Sequence, residues 1–283
     1  MTGTGYGILV GYDGSASSEQ ALSWAAREAL SRGTALTVCH VFGPGFPPPP
    51  GDDAVLDLAR RNGERVIGSG ARHAQHLMGT GEVRPLLIAG SAPAAICERS
   101  HDAAMVVIGA RGLGGVAGLR LGSVSSQVAA HAGGRVVLVR GHWRPAAGFV
   151  PGPIVVGANG SPPSRDALDF AFEEATLREA PVLAVCALAD APGSLGGADK
   201  RREQFEDVIG RWEKNHREVA VLRRLSHGGA RDALLTAAHD AQLLVVGSRG
   251  RGGIQGMALG SVSLAILHHA SCPVGVARPA PPA

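Results

Sequence analysis

The sequence predicts two tandem, doubly wound α/β domains, each a parallel sheet with helices on both faces. Three observations carry that expectation. The chain repeats itself at domain scale, short apolar runs alternate with amphipathic helical patterns, and glycines cluster at the ends of apolar runs. Repeated βα units of this kind imply parallel strands joined by right-handed crossovers, with ligands at the carboxyl ends of the strands.

The repeat comes first. Val10-Gly-Tyr-Asp-Gly-Ser15 returns as Val156-Gly-Ala-Asn-Gly-Ser161, an offset of 146 that also aligns Ser18 with Ser164, Ala21 with Ala167, Leu22 with Leu168, Ala25 with Ala171 and Ala29 with Ala175. Further along, the offset is 138. Gly109-Ala-Arg-Gly112, nine residues and Gly122-Ser-Val-Ser125 recur as Gly247-Ser-Arg-Gly250, nine residues and Gly260-Ser-Val-Ser263. His131/His269, Val136/Val274 and Arg140/Arg278 stay in step, so the second copy is eight residues shorter in its middle. A period near 140 residues is that of a domain, not of a solenoid unit. The expected division is residues 1–144, a linker at 145–152 within the Pro- and Gly-rich Gly141–Gly152, and 153–283.

The strands of the first copy are expected at Ile8–Tyr12, Leu36–Val41, Val83–Ile88, Met105–Ile108 and Val136–Val139. Those of the second are expected at Ile154–Gly157, Val182–Leu188, Val219–Leu225, Leu243–Val246 and Val274–Ala277. Their near-continuous hydrophobicity suits strands covered on both faces. Between the first two strands, Ser18–Leu30 places Ala21, Leu22, Ala25, Ala26, Ala29 and Leu30 on one helical face, with Gly33 as a stop signal. The matching helix runs from about Ser164 to Glu179, with Leu168, Ala171, Phe172 and Ala175 inward. Pro44–Asp53, with four consecutive prolines, reads as a loop, and so does its counterpart Asp190–Asp199.

Glycines at a strand exit, followed by small hydroxyl residues opening a helix, form an anion cradle. Backbone N–H groups approach a phosphate closely there, and the helix N-terminus supplies positive potential. Tight turns alone explain one or two such glycines, but not two complete spacings with their serines. Arg111 and Arg249, between the motif glycines, read either as solvated charges or as phosphate contacts. Asp13 reads either as a turn former or as a pocket residue.

Composition narrows the function classes. A hydrophobic content of 45% in 283 residues supplies a core for each half. No basic leader followed by an apolar stretch opens the chain, and no apolar run reaches membrane-span length. Cys39, Cys97, Cys186 and Cys272 are dispersed, which fits small buried hydrophobes in a reducing cytoplasm, and Cys39 and Cys186 look equivalent. A net charge of +3 without a dense basic tract gives no nucleic-acid footprint. The eleven histidines show no zinc-ligand spacing, and His131 and His269 read as helix-end or interface residues. Trp24, Trp143 and Trp212 read as packing residues.

The VGxDGS first strand, the G-2x-G-9x-G-[ST] segment and the closing strand His269-Ala-Ser-Cys-Pro-Val-Gly-Val-Ala277 together resemble the universal stress protein family, in its tandem-domain, ATP-binding branch. The resemblance covers essentially the whole chain. It implies a five-stranded parallel sheet per domain in flavodoxin-like (Rossmann-like) layers, and ATP binding in stress, dormancy or growth control. Gly11 and Asp13 then lie near the adenosine, where a carboxylate either accepts from a ribose hydroxyl or helps to hold Mg²⁺. Val41 matches the position whose backbone addresses adenine. Gly109, Arg111, Gly112, Gly122, Ser123, Val124 and Ser125 form the phosphate loop, with N–H and hydroxyl donors. The second-copy equivalents are Gly157, Asn159, Leu188, Gly247, Arg249, Gly250, Gly260, Ser261, Val262 and Ser263. Asn159 departs from the family's aspartate, keeping an acceptor and losing the charge, which weakens metal assistance there. Gly133-Gly134 replaces the family's Cys-Pro at a turn outside the pocket.

Three functions compete. A regulatory ATP-binding protein is the first, with an adenine nucleotide and an unidentified regulatory protein as partners, an intramolecular pseudo-dimer of domains, and a homodimer left open. A slow ATPase or phosphotransferase is the second, but no Gly-Lys-Ser/Thr exists, and the two lysines, Lys200 and Lys214, lie far from the glycine loops. A ligand-free scaffold is the third, and it predicts degraded loops. A dinucleotide enzyme is disfavoured because the first strand leads into Asp13-Gly-Ser15 and not GxGxxG.

Overall fold

The structure is a computed structural model, describing residues 5–43, 53–113, 120–140, 152–160, 162–188, 197–249 and 258–278. Its contacts divide the chain into two compact units, over Met1–Arg140 and Gly141–Pro279. The first runs β1 (Ile8–Gly11), α1 (Ala16–Arg32), β2 (Leu36–Phe42), α2 (Asp53–Met78), β3 (Val83–Ala89), α3 (Ala92–Arg99), β4 (Met105–Gly109), α4 (Ser123–His131) and β5 (Val136–Val139). Its sheet is parallel throughout, in the order β3-β2-β1-β4-β5. Connections therefore depart in opposite directions from β1 and β4, which opens a crevice at their carboxyl ends.

The second unit repeats the plan with β6 (Ile154–Gly157), α5 (Pro162–Leu177), β7 (Val182–Ala187), α6 (Gly197–Asn215), β8 (Val221–Ser226), α7 (Ala230–Ala237), β9 (Leu243–Gly247), α8 (Ser261–His269) and β10 (Val274–Ala277). Its parallel order is β8-β7-β6-β9-β10. Most residues of the central strands are buried, as their continuous hydrophobicity requires. The third strand starts at Val221 and not Val219, whose N–H closes a turn onto His216 O at 3.1 Å. Val219 is buried all the same, so its side chain mimics a strand residue. Of the expected linker only Gly152 is described. A Cβ there would lie 1.6 Å from the Asp240 carbonyl oxygen, so this residue is packed into the second unit. The two expected loops fall mostly outside the described residues; Asp53 and Gly197–Asp199, at their ends, already belong to α2 and α6.

Helix α1 begins at Ser15, whose side chain accepts from the Ser18 N–H, and ends at Gly33 in the left-handed region (φ 60°). Ala21, Leu22, Ala25, Ala26 and Ala29 are buried as expected, but Leu30 is 47% exposed. At about 100° per residue Leu30 lies roughly 180° around from Ala21. Trp24 and Glu28 fill the buried face instead. Glu28 is paired with Arg32 one turn on, and Glu174 with Arg178 at 2.8 Å in the same place on α5. Trp212 stacks against Phe172 and His216 with centroids 5.4 and 5.5 Å away, while Trp143 lies outside the described residues.

Strand register corrects one expectation. Gly11 pairs with Cys39 and Gly157 with Val185, so Cys186 corresponds to His40 and lies one residue out of step with Cys39. A one-residue step reverses the face of the sheet, yet both cysteines are buried because helices cover both faces.

The second unit also carries a strained turn. Glu179 takes φ 50° after α5, the position that Gly33 fills after α1. A side chain in this region costs about 1–2 kcal/mol, partly offset by the greater unfolded-state freedom of glycine. Glu179→Gly should therefore stabilise the protein by roughly 0.5–1 kcal/mol, read as a higher urea midpoint.

Candidate functional site

The crevice of the first unit is built from the exits of β1, β2 and β4. Gly11 ends β1, where a Cβ would press within 3.2 Å of Ile108 and Ile96, so glycine keeps the floor open. Tyr12 follows, its N–H donating to the Cys39 carbonyl at 2.8 Å and its ring packed on Gly70 of α2. The Tyr12 hydroxyl donates to Glu19, whose other carboxylate oxygen meets His73 Nδ1 at 2.6 Å. Burial, then the hydrogen bond and charge of Glu19, push the Tyr12 phenol well above its ordinary range and keep it a donor. His40 Nδ1 lies 2.8 Å from the Tyr12 carbonyl. A carbonyl only accepts, so the proton sits on Nδ1.

Asp13 is held from both sides of the crevice. One carboxylate oxygen accepts from the Ser15 N–H and the other from the Leu113 N–H, each at 3.0 Å. Burial alone would raise its pKa, but hydrogen bonds from Ser15, Leu113 and Ser18 outweigh it and hold the carboxyl below its usual value of 3.8.

The loop after β4 depends on glycine at two points. A Cβ on Gly109 would lie 2.6 Å from the Ser17 backbone oxygen, and one on Gly112 would lie 2.5 Å from the Asp13 carboxylate. The Arg111 N–H donates to Ser17 Oγ at 3.2 Å, and the Gly122 N–H donates to the Ala110 carbonyl at 2.8 Å. Gly122 then caps α4 without a side-chain hydrogen bond. The helix thus presents first-turn N–H groups and a positive dipole end at the crevice.

These elements enclose a cleft of about 290 Å³. Gly11, Asp13, Val41, Gly109, Arg111, Gly112, Gly122, Ser123, Val124 and Ser125, all named from sequence, line it together. Ala92, Ile96, Ile108 and Cys39 add an apolar wall that sequence reasoning missed, as it missed Tyr12, Ser18, His40 and Leu113. Tyr12 and Ser18 lay within the first repeat segment and could have been found there; the α3 residues follow no motif. Burial pushes the Cys39 thiol up to about 12, so it is a neutral wall atom and not a nucleophile.

The second unit keeps the backbone frame. Gly157 ends β6 with Asn159 beyond it, Gly247 ends β9 ahead of Arg249, and Gly260, Ser261, Val262 and Ser263 open α8, again with no side-chain cap. The Gly260 N–H donates to the Ser248 carbonyl at 2.8 Å, as Gly122 does to Ala110. Gly250 lies outside the described residues. By register the residue matching Val41 is Ala187, not Leu188, whose buried N–H donates to the Ser226 carbonyl. Ala158 and Arg165 stand where Tyr12 and Glu19 stand, so that pair belongs to the first copy.

The universal stress protein family model matches residues 7–140 and again 152–278. The chain belongs to the universal stress protein family. A universal stress protein of Mycolicibacterium smegmatis is 35% identical over 293 residues, covering 99% of both chains. One of Mycobacterium tuberculosis is 34% identical over 286 residues, covering 96% of this chain and 97% of its own. The crystal structure of a universal stress protein from Archaeoglobus fulgidus shares the fold, with a TM-score of 0.75 at 20% identity over 98% of this chain and 99% of that one.

Within this universal stress fold two of the serine hydroxyls depart from their expected role. Ser125 Oγ donates to the Gly109 carbonyl and Ser263 Oγ to the Gly247 carbonyl, both at 2.7 Å and both buried. Each of these two hydroxyl protons ties the helix start to the strand end and is not offered to the crevice. Among the described residues, no helix is long and apolar enough to cross a membrane.

Asp13 makes the first unit sensitive to acid. Its lowered pKa means that its contribution to stability is complete above 3.8 and is lost as pH falls through the lowered value. Asp13→Asn should cost roughly 1 kcal/mol near neutrality, since one acceptor survives. Urea titrations at descending pH should show the gap to the unmodified protein closing only in that acid window.

Proposed function

We propose that this universal stress protein is an ATP-binding regulator of the stress response, dormancy or growth control, with one adenine-nucleotide site per domain. The observation that carries this reading is the meeting of all ten first-copy motif residues around one cleft. The cleft has an apolar wall on one side and an uncapped helix N-terminus on the other. The wall of Val41, Ala92, Ile96 and Ile108 suits a purine ring, with the Val41 backbone addressing its edge. The glycine loop and the start of α4 suit phosphates, and Arg111 adds a cation at the rim. Asp13 would face the ribose or, when Mg²⁺ is bound, contribute a carboxylate ligand. Asn159 gives the second site an acceptor without charge.

The reading favours holding ATP over hydrolysing it. Lys200 and Lys214 both lie on α6 of the second unit, and the described lining of the first cleft contains no lysine. Four free cysteines are in keeping with a reducing cytoplasm. The domain division we propose is 1–144 and 153–283 about a linker at 145–152, and the regulatory partner would be a protein that senses occupancy.

Native mass spectrometry tests the reading. Two adenine nucleotides per chain are expected with ATP, and one after Gly122→Glu. Gly122 has φ −77°, and a Cβ there meets nothing nearer than 3.5 Å, so the variant folds while its carboxylate fills the phosphate space. Unchanged ATP affinity at the first site would refute the assignment, and sustained ADP release would favour the enzyme.

A further inference from the structure

The loop over the first cleft already holds an anion, and that anion is part of the protein. The Leu113 N–H donates to Asp13 across 100 residues of sequence. Gly112 lies against the same carboxylate oxygen so closely that a Cβ would sit 2.5 Å from it. An Asp-Gly turn accounts for the other oxygen, which accepts from the Ser15 N–H two residues on, but not for this long-range contact. Next to it, the Arg111 N–H is taken by Ser17 Oγ. Two of the donors suited to a phosphate are therefore taken by oxygens of the protein itself.

We propose that Asp13 is an internal competitor for phosphate: its carboxylate holds the Leu113 N–H, a loop donor that the ligand's phosphates need, so phosphates bind by displacing it. The proposal rests on the nucleotide reading above and adds a rule of regulation to it. The adenosine half of a ligand meets an apolar wall, whereas its phosphate half meets the Asp13 carboxylate, a like charge already bonded to the loop. Phosphate groups then add less affinity than the donor count suggests. Asn159 stands at the matching position of the second copy, so charge competition is confined to the first.

The test compares adenosine and ATP, each titrated calorimetrically with divalent metal chelated, on the full chain and on Asp13→Asn. Any ribose contact made by Asp13 is lost for both ligands and cancels in the ratio of their affinities. That ratio should rise about tenfold in Asp13→Asn, the scale of one charge-assisted hydrogen bond. An unchanged or lowered ratio overturns the competition while leaving nucleotide binding intact. Failure of both ligands to bind either protein overturns the nucleotide reading, and the competition with it. A second readout needs no variant. Inorganic pyrophosphate added to the unmodified protein should shift the Leu113 and Arg111 amide resonances together, and an unmoved Leu113 amide under saturating pyrophosphate would overturn the proposal.

Discussion

The close approach of the Ser17 backbone to Gly109 is the contact on which the first cleft depends. Any side chain at 109 would meet the Ser17 carbonyl at 2.6 Å, so β4 and the start of α1 touch backbone to backbone. That contact brings the Asp13–Ser15 turn alongside the loop at 110–113, and Ser125 then anchors the helix start to the same glycine. Strand order supplies the crevice, but glycine brings its two lips within hydrogen-bonding distance.

Sequence reading went furthest where a residue type is dictated by shape. Gly109 and Gly112 can be named without a structure because a Cβ there would meet the Ser17 backbone or the Asp13 carboxylate, which leaves few alternatives to glycine. It failed where hydrophobicity is uniform. In a strand buried on both faces no alternation marks the register, so pairing Cys186 with Cys39 and Leu188 with Val41 by residue type puts each one residue out. Leu30 failed for a related reason. An alanine-rich stripe is wide enough to admit several helical phases, and the large Trp24 chose the one that turns Leu30 outward. The buried hydroxyls of Ser125 and Ser263 were misread because a motif names a residue type without saying which of its groups faces the ligand.

The two copies separate scaffold from surface. Loop-to-helix hydrogen bonds agree to within 0.1 Å across them: Gly122 to Ala110 and Gly260 to Ser248 at 2.8 Å, Ser125 to Gly109 and Ser263 to Gly247 at 2.7 Å. Two positions that line the first crevice differ instead, Asp13 against Asn159 and Tyr12 against Ala158. One backbone frame thus carries two electrostatic settings within one chain.

The paired Glu28–Arg32 and Glu174–Arg178 bridges show a different kind of agreement. Such buried pairs add little net stability over an apolar substitute, because the loss of hydration offsets their attraction. Recurrence of the same pair at an offset of 146 therefore reflects the duplication of the chain more than a gain in stability.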